Sequence, residues 1–277
     1  MSLPIFSPQR DPGPNFLRVL GETEDPAVLA RNFASPVESS GEFSGRVLDS
    51  IPHGTTIVAF RFADGVVIAG DRRATAGNVI ASRRIEKVAP ADRYSAVGFA
   101  GSAGPALEMV KLFQVQLEHY EKVEGVTLSL EGKANQLSQM IRANLGLAMS
   151  GLVVIPLFVG WDLAQRRGRI FTYDITGGRY EEVDYYAIGS GGRDAQGAIK
   201  YGFIENMTEA QAFELALTAL FEAAQEDSAT GGPDPLRSVY PTVATVAAEG
   251  YRRVDDAIVA QISATIIERR AQRGSRQ

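Results

Sequence analysis

Three residues in the first third of the chain have types and spacing that fit nucleophilic catalysis without histidine. Thr55 follows Gly54 in "SIPHGTTIVAF", Asp71 closes "DGVVIAGD", and Lys87 lies in "RRIEKVAP". A threonine hydroxyl needs a base, and one available base is the α-amino group of the same residue. A free α-amine has a pKa of about 7.7–8.0, which suits proton exchange near neutral pH. Because Thr55 is internal, this chemistry requires cleavage between Gly54 and Thr55.

The neighbouring residues strengthen this hypothesis without settling it. Gly54 has no Cβ, so it can adopt a backbone conformation that brings the Thr55 hydroxyl to the Gly54 carbonyl. A buried ion pair between Lys87 and Asp71 would stay charged, keep the site rigid and favour deprotonation of a nearby hydroxyl. Each residue also has a simpler interpretation, with Gly54 as a linker and the two charges as ordinary strand-end residues. The residues alone leave both interpretations open.

The chain lacks most of the residues that other classes of catalytic site need. The chain of 277 residues has no cysteine, which excludes disulfides, thiolate metal sites and a cysteine nucleophile. It has two histidines, His53 and His119, and His119 lies in an amphipathic helical pattern where a solvated position is expected. No Gly-x-Ser-x-Gly elbow, P-loop or EF-hand spacing occurs, and "GSGGRDAQG" has Asp194 where a dinucleotide fingerprint needs glycine. We therefore expect no metal and no cofactor.

Charge and hydropathy exclude further classes. The net charge of -5 and the lack of a Lys/Arg-rich block argue against nucleic-acid binding. No apolar run reaches the length of a membrane-spanning helix, and the N-terminus lacks the features of a signal peptide. These patterns predict a globular, cytoplasmic protein without nucleic-acid or membrane partners.

Periodicity predicts elements that would position the three residues. Two strands, "TTIVAFRF" and "DGVVIAGDRRAT", meet at an Ala63-Asp64-Gly65 turn, the strongest short-range hairpin signal. Further strands are predicted at 79–88, 94–99, 152–160, 169–175, 180–189 and in "YPTVATVAAE", and helices at 103–122, 130–149, from Gly192, at 208–226 with a Thr208/Gln211 capping box, and at 255–270. This order predicts an α+β fold in which two antiparallel sheets pack face to face with helices outside.

The first 54 residues differ from the rest. Seven of the thirteen prolines fall in this arm, which also contains the flexible stretch "SSGEFSG". Because proline fixes φ and removes a backbone donor, the composition of the arm disfavours its joining a packed sheet. We interpret it as an extension with a short helix at 26–33, or as a loosely docked tail.

Six ordered motifs carry a resemblance to a known family. They are "GTTIVAF", "DGVVIAGDRRATAG", "EKV", "GFAGSAGPA", "AIGSGG" and "EDSATGG". Together, from Gly54 to about Arg270, they resemble the 20S proteasome β subunits, threonine proteases of the N-terminal nucleophile hydrolase class, in their bacterial, actinobacterial form. The resemblance implies a four-layer αββα sandwich, a propeptide arm at residues 1–54 and a catalytic domain at 55–277.

The resemblance also implies residue roles. Thr55 would be the nucleophile and, after autocleavage at Gly54-Thr55, its amine the base, with Asp71 and Lys87 as the charged pair beside it. The resemblance implies that Ser190, Asp227 and Thr230 lie around this amine. Many members of the family have serine at the position of Thr230. The resemblance further implies that Gly101, the oxyanion donor, binds the substrate backbone together with Thr75 and Ala103. It also implies an apolar specificity pocket formed by Ala74, Ile85, Phe99 and Leu107. His53 would leave with the propeptide.

The implied assembly is a barrel of 28 subunits in which homo-heptameric β rings stack with α rings. A regulatory ATPase would act through the α rings on unfolded or tagged polypeptides. Two alternatives remain open from the residues: the proteolytic subunit of a simpler HslV-type two-ring protease, and a non-catalytic structural ring subunit that keeps its arm.

Overall fold

The fold of the protein is given by a computed structural model that describes residues 54–274. The arm at 1–53, with its expected helix at 26–33, and residues 275–277 lie outside this range. The first strands are β1 (Thr56–Phe62), β2 (Gly65–Gly70), β3 (Ala74–Ala76), β4 (Val79–Ser82), β5 (Val88–Asp92) and β6 (Ser95–Gly101). Helices α1 (Ala103–Glu124), α2 (Leu130–Ala143) and α3 (Leu145–Met149) follow.

The second half repeats this alternation of strands and helices. Its strands are β7 (Val154–Asp162), β8 (Arg167–Tyr173), β9 (Arg179–Glu182) and β10 (Tyr185–Gly189). Helices α4 (Gly192–Gly202) and α5 (Glu209–Glu226) precede a 3₁₀ turn (Pro235–Arg237), β11 (Thr242–Ala247), β12 (Gly250–Arg253) and the final helix α6 (Asp256–Gly274). The expected capping box of α5 is present, with the Thr208 hydroxyl accepting from the Gln211 amide.

Two five-stranded antiparallel sheets form the centre of the fold. The first has the order β10-β1-β2-β11-β12, the second has the order β5-β6-β7-β8-β9, and β3 and β4 form a separate two-stranded ribbon. Residues from both sheets, such as Ile57, Ile68 and Leu157, pack in one buried cluster between them. This contact joins the sheets face to face, as the strand pattern predicts.

Helices cover the outer face of each sheet. Apolar residues of α4, α5 and α6 share a buried cluster with β1 and β2, while those of α1 and α2 share another with β6, β7 and β8. The layers therefore run helices, sheet, sheet, helices. The expected α+β fold, a four-layer αββα sandwich, is confirmed.

The predicted β1–β2 hairpin has the register that the site needs. Phe62 pairs with Gly65 across the Ala63-Asp64 turn, and Ile57 pairs with Gly70 at the other end. The residue after β2, Asp71, consequently lies beside Thr56, and its backbone amide donates to the Thr56 carbonyl at 3.1 Å.

Several predicted elements are interrupted in the structure. The strand expected at 180–189 divides into β9, which ends at Glu182 in the second sheet, and β10, which starts at Tyr185 in the first. The strand expected at 79–88 ends at Ser82, and β5 starts only at Val88. Between them Arg83, Arg84 and Glu86 are exposed, and the chain becomes buried again only at Lys87. The helix expected at 130–149 breaks at Asn144, whose side-chain amide donates to the Met140 carbonyl at 2.9 Å and so binds the end of α2. No helix among the described residues is long and apolar enough to cross a membrane.

Candidate active site

Thr55 lies at the start of β1 in a buried position. Its side chain donates a hydrogen bond from Oγ1 to the Gly54 carbonyl oxygen at 2.6 Å. Because Gly54 precedes it in the chain, the Thr55 nitrogen is a peptide amide. This amide donates to Ser190 Oγ at 3.5 Å, and the Thr55 carbonyl accepts from the Ser190 amide at 2.9 Å.

Asp71 and Lys87 form a buried ion pair directly beside Gly54. The Lys87 Nζ is 2.7 Å from Asp71 Oδ1 and also donates to the Gly54 carbonyl oxygen at 2.7 Å. The two side chains are 5% and 0% exposed, so the pair is almost free of solvent screening. Burial lowers the pKa of Lys87, while the Asp71 carboxylate acts in the opposite direction and limits the change.

Backbone amides fix the Asp71 carboxylate. Oδ1 accepts from the Thr56 amide at 2.8 Å, and Oδ2 accepts from the amides of Arg73 and Gly231, both at 2.9 Å. Since backbone donors bind the charged form of a carboxylate, they hold Asp71 as an acceptor for Lys87. The Lys87 ammonium is thereby directed at the Gly54 carbonyl.

Ser190, Asp227 and Thr230 form a second polar cluster on the other side of Thr55. Ser190 Oγ donates to Asp227 Oδ2 at 2.5 Å, and Thr230 Oγ1 donates to the same oxygen at 2.6 Å. Burial acts to raise the pKa of Asp227, but these two hydrogen bonds and one from the Ala229 amide lower it overall. The three residues that the resemblance implies are thus in contact, although Asp227 is 37 positions from Ser190.

The residues expected to bind the substrate backbone lie around the same point. Gly101 has φ of +105°, and an added Cβ would be 2.1 Å from the Val153 carbonyl oxygen, so both conformation and space require glycine there. Gly101 and Ala103 line the cavity that also contains Gly54 and Thr55. Thr75 lies on β3, with its Oγ1 beside Gly54.

The four residues expected in a specificity pocket, Ala74, Ile85, Phe99 and Leu107, all line this cavity. It has a volume of about 430 Å³, so the space beside Thr55 is large enough for a bulky side chain. The lining is mostly apolar, but it also includes polar residues that the sequence did not point to: Glu86, Lys111, Gln114, Tyr251 and Arg253. Lys111 and Gln114 follow Leu107 at helical spacing, which is a signal that could have found them.

Several other residues of the site were given no role from the sequence, although the motifs contain them. Thr56 and Gly231 donate backbone hydrogen bonds to Asp71, and Gly191 donates to the Thr56 hydroxyl. Strand β12 supplies part of the cavity wall from far along the chain. Of the two histidines, His119 is exposed on α1, as expected, and His53 lies outside the described residues. No group of acidic or histidine side chains within residues 54–274 could hold a metal ion.

The comparisons with known proteins agree with this geometry. A family model described as "Proteasome subunit" matches residues 51–234. A "Proteasome subunit beta" of Acidimicrobium ferrooxidans is 60% identical over 277 residues, which cover 100% of this chain and 97% of that protein. Proteins of the same description from Streptomyces griseus and Acidothermus cellulolyticus are 59% identical over 219 residues and 58% identical over 224 residues. These matches cover 79% of this chain in both cases and 78% and 77% of the respective relatives.

The resemblance in the six sequence motifs is therefore confirmed over almost the whole described chain. The chain belongs to the proteasome subunit family and is of its β type, the threonine endopeptidase of the proteasome core particle.

Proposed function

We propose that Thr55 is the nucleophile, that residues 1–54 are a propeptide, and that the protein itself cleaves the Gly54–Thr55 bond. The observation that carries this proposal is the convergence of two donors on the Gly54 carbonyl oxygen, the Thr55 hydroxyl at 2.6 Å and the Lys87 ammonium at 2.7 Å. A carbonyl bound to a buried ammonium is polarised toward attack, since the developing negative charge is stabilised in a site of low dielectric constant.

In the proposed cleavage, Thr55 Oγ1 adds to the Gly54 carbonyl carbon and the C–N bond then breaks. The hydroxyl proton ends on the Thr55 nitrogen, and Gly54 is left as an ester on Oγ1. Water hydrolyses this ester, which releases the arm with a Gly54 carboxylate and restores the Thr55 hydroxyl beside a free amine. Lys87 donates to the carbonyl oxygen throughout, and Asp71 holds Lys87 in place.

Substrate hydrolysis follows the same path with the amine as base. The amine takes the Oγ1 proton, Oγ1 attacks the substrate carbonyl, and the amine passes the proton to the leaving nitrogen before water hydrolyses the acyl ester. Ser190, Asp227 and Thr230 orient the amine, and the Gly101 amide donates to the oxyanion. Thr75, Gly101 and Ala103 bind the peptide as an added strand. The cavity lined by Ala74, Ile85, Phe99 and Leu107 then favours an apolar side chain before the cleaved bond.

Intact mass of the purified protein tests this proposal. The wild-type chain is expected to lose residues 1–54, whereas Thr55→Ala should keep them and lose peptide hydrolysis. Thr55→Ser is the matched control, because it keeps the hydroxyl and should still be processed. A mature wild-type chain that retains the arm, or a Thr55→Ala variant with normal hydrolysis, would contradict the proposal. The second outcome would favour a structural ring subunit.

The assembly proposed is a 28-subunit cytoplasmic barrel in which homo-heptameric β rings stack with α-subunit rings. It receives unfolded or tagged polypeptides from a regulatory ATPase. Large apolar side chains left exposed on the outer helices support association, among them Leu112, Val115, Val123 and Tyr201. Particle mass with and without an α-type partner tests this assembly. A complete active particle formed without that partner would instead favour the HslV-type alternative.

A further inference from the structure

Thr56, the residue after the proposed nucleophile, has a polar side chain with no access to solvent. It is 0% exposed, and its Oγ1 is 2.6 Å from Thr230 Oγ1. The same oxygen accepts a hydrogen bond from the Gly191 amide at 3.2 Å. Thr56 does not line the substrate cavity, so any effect it has on the reaction must pass through other residues.

The direction of each hydrogen bond in this cluster follows from the number of protons available. The single hydroxyl proton of Thr230 is donated to Asp227 Oδ2 at 2.6 Å, where the acceptor is a carboxylate. The proton between Thr56 and Thr230 must therefore come from Thr56. A one-way chain results, from the Gly191 amide through the hydroxyls of Thr56 and Thr230 to Asp227.

The backbone of Thr56 reaches the other half of the site. Its amide donates to Asp71 Oδ1 at 2.8 Å, the same oxygen that pairs with Lys87 Nζ. Thr56 consequently connects the buried carboxylate of Asp71, through its backbone, with the half-buried carboxylate of Asp227, through its hydroxyl and that of Thr230. Ser190 is close to the second connection, because it precedes Gly191 in the chain and its hydroxyl donates to Asp227 at 2.5 Å.

The packing at this point leaves no room for another arrangement. An added Cβ on Gly191 would be 2.5 Å from Thr56 Oγ1 and 2.8 Å from Thr230 Oγ1. If the Thr56 hydroxyl were removed without a change of shape, the Gly191 amide and the Thr230 oxygen would each lose a buried partner. The loop that carries Ser190 would then lose one of its fixed points.

We propose that the Thr56 hydroxyl is a positioning group that holds Thr230 and the Ser190–Gly191 loop so that Ser190 Oγ faces the Thr55 nitrogen. This inference deepens the proposed function and rests on its assignment of Thr55, Ser190 and Asp227. Thr56 acts on the amine that serves as base, and the substrate binds elsewhere. Its removal should therefore change kcat and processing and leave KM nearly unchanged.

The first experiment compares Thr56→Val, which removes the hydroxyl at constant shape, with Thr56→Ser, which keeps it. Processing is followed by intact mass, and kcat and KM are measured on a fluorogenic peptide with an apolar residue before the cleaved bond, per mature chain. Thr56→Val is expected to lower kcat by about ten-fold, with KM within about two-fold, because the buried hydrogen bonds of this hydroxyl to Thr230 and Gly191 are lost. Thr56→Ser should recover most of the kcat.

Thr242→Val is the matched control for this comparison. Thr242 is also a buried threonine of the first sheet, but its hydroxyl has no hydrogen-bond partner among the described residues. This variant should keep the wild-type kcat and melting temperature. Wild-type kcat in Thr56→Val, or an equal loss in Thr56→Ser and Thr56→Val, would overturn the inference, because the hydroxyl would then have no role.

A double-mutant cycle with Thr230→Val tests the chain itself and does not depend on the fold of one variant. If Thr56 acts partly through Thr230, the double variant should lose less kcat than the product of the two single losses, whereas fully independent action would multiply the two losses and contradict the inference. Thr55→Ala, measured in parallel, separates the two proposals. Hydrolysis by Thr55→Ala would refute the proposed function, whereas an inactive Thr55→Ala beside a fully active Thr56→Val would refute only the role of Thr56.

Discussion

At the scale of single residues, Gly54 is fixed by lack of space. A Cβ added to Gly54 would be 2.6 Å from Ala229 Cβ, 2.7 Å from the Ala229 carbonyl oxygen and 2.8 Å from Thr75 Oγ1. The sequence suggested that glycine is needed for its conformational freedom, whereas the structure adds a steric reason. Ala229 and Thr75 come from different parts of the chain, so no local pattern around residue 54 could reveal it.

Replacement of Gly54 by alanine should therefore slow processing. The added methyl group would push the Gly54 carbonyl away from Lys87 Nζ, and a misplacement of this kind costs about 10²-fold in rate. The accumulation of the mature chain, followed by intact mass over time, measures the effect. Gly146→Ala is the control, since an added Cβ there meets no atom within 4 Å. Equal processing of both variants would show that space at Gly54 is not limiting.

At the scale of elements, the β1–β2 hairpin and the strand connections bring the charged residues together. The hairpin register places Asp71 beside Thr56. Lys87 precedes β5 and is held against β6, because its carbonyl accepts a hydrogen bond from the Phe99 amide at 3.0 Å. The cavity wall combines β3, β6, α1 and β12. The hairpin was predictable from an Asp-Gly turn, but the meeting of β12 with α1 was not.

The apolar wall of the cavity gives a prediction about substrate choice. Ala74→Leu would place a larger side chain in the space of about 430 Å³ beside Thr55. We expect hydrolysis after large apolar residues to fall by about ten-fold relative to hydrolysis after alanine, because the loss of a pocket for a few methylene groups is worth about 1–3 kcal/mol. Peptides that differ only at this residue measure the ratio. Processing should continue, since Gly54 places no side chain in the cavity; an unchanged ratio would contradict this assignment of the pocket.

A buried arginine connects α2 to the edge of the second sheet. Arg169 on β8 donates to Asp162 at 2.9 Å, to Glu131 of α2 at 2.9 Å and to Glu181 of β9 at 2.6 Å. The Arg169 side chain is 7% exposed, whereas the adjacent Arg167 is 44% exposed and contacts Glu181 at 3.3 Å. The two arginines thus make the same type of contact at different depths.

Arg169→Met should consequently lower the free energy of unfolding by about 2–4 kcal/mol, since it leaves partly buried carboxylates without their cation. Arg167→Met, the matched surface control, should change it by about 0.5 kcal/mol or less. Urea denaturation of the unassembled chains measures both values. Similar values for the two variants would mean that solvent satisfies the carboxylates around Arg169.

At the scale of the whole molecule, the sandwich assembles one site from residues that are far apart along the chain. The Gly231 amide donates to Asp71 Oδ2 across 160 positions, and Ser190 contacts Thr55 across 135. The loop that follows α5 contributes to both carboxylate clusters, through Gly231 to Asp71 and through Thr230 to Asp227. Closure of this loop onto β1 and β2 is therefore a condition for the site to form.

Asp227 makes this closure depend on pH. Burial acts to raise its pKa, but the hydrogen bonds of Ser190, Thr230 and Ala229 lower it below the usual value of about 3.9. An acid whose pKa is lower in the folded state stabilises that state above the unfolded pKa, and the contribution disappears as the pH falls through the folded pKa. The melting temperature of wild type should exceed that of Asp227→Asn at pH 6, and the difference should shrink below about pH 4. Glu226→Gln, at the exposed neighbouring position, should show no such trend; a constant difference for Asp227→Asn would refute the linkage.

The sequence by itself determined the elements and the nature of the chemistry. The Asp-Gly turn specified the hairpin, apolar periodicity specified the main helices, and the scarcity of histidine left a threonine with its own amine as a consistent nucleophile. These features are local, because they depend on turn conformation, side-chain spacing and residue type within a few positions. The breaks at Ser82 and Asn144 were missed, since exposure and capping depend on what the fold places nearby.

Only the tertiary structure decided how the residues meet. From the sequence, Lys87 could equally have been an exposed strand-end charge, whereas the structure buries it against Asp71 and the Gly54 carbonyl. Thr56 lies in the motif "GTTIVAF", but its role could not be predicted, because its hydroxyl bonds to residues 135 and 174 positions away. Such contacts arise from the packing of two sheets and a closing loop, and packing depends on the whole chain at once.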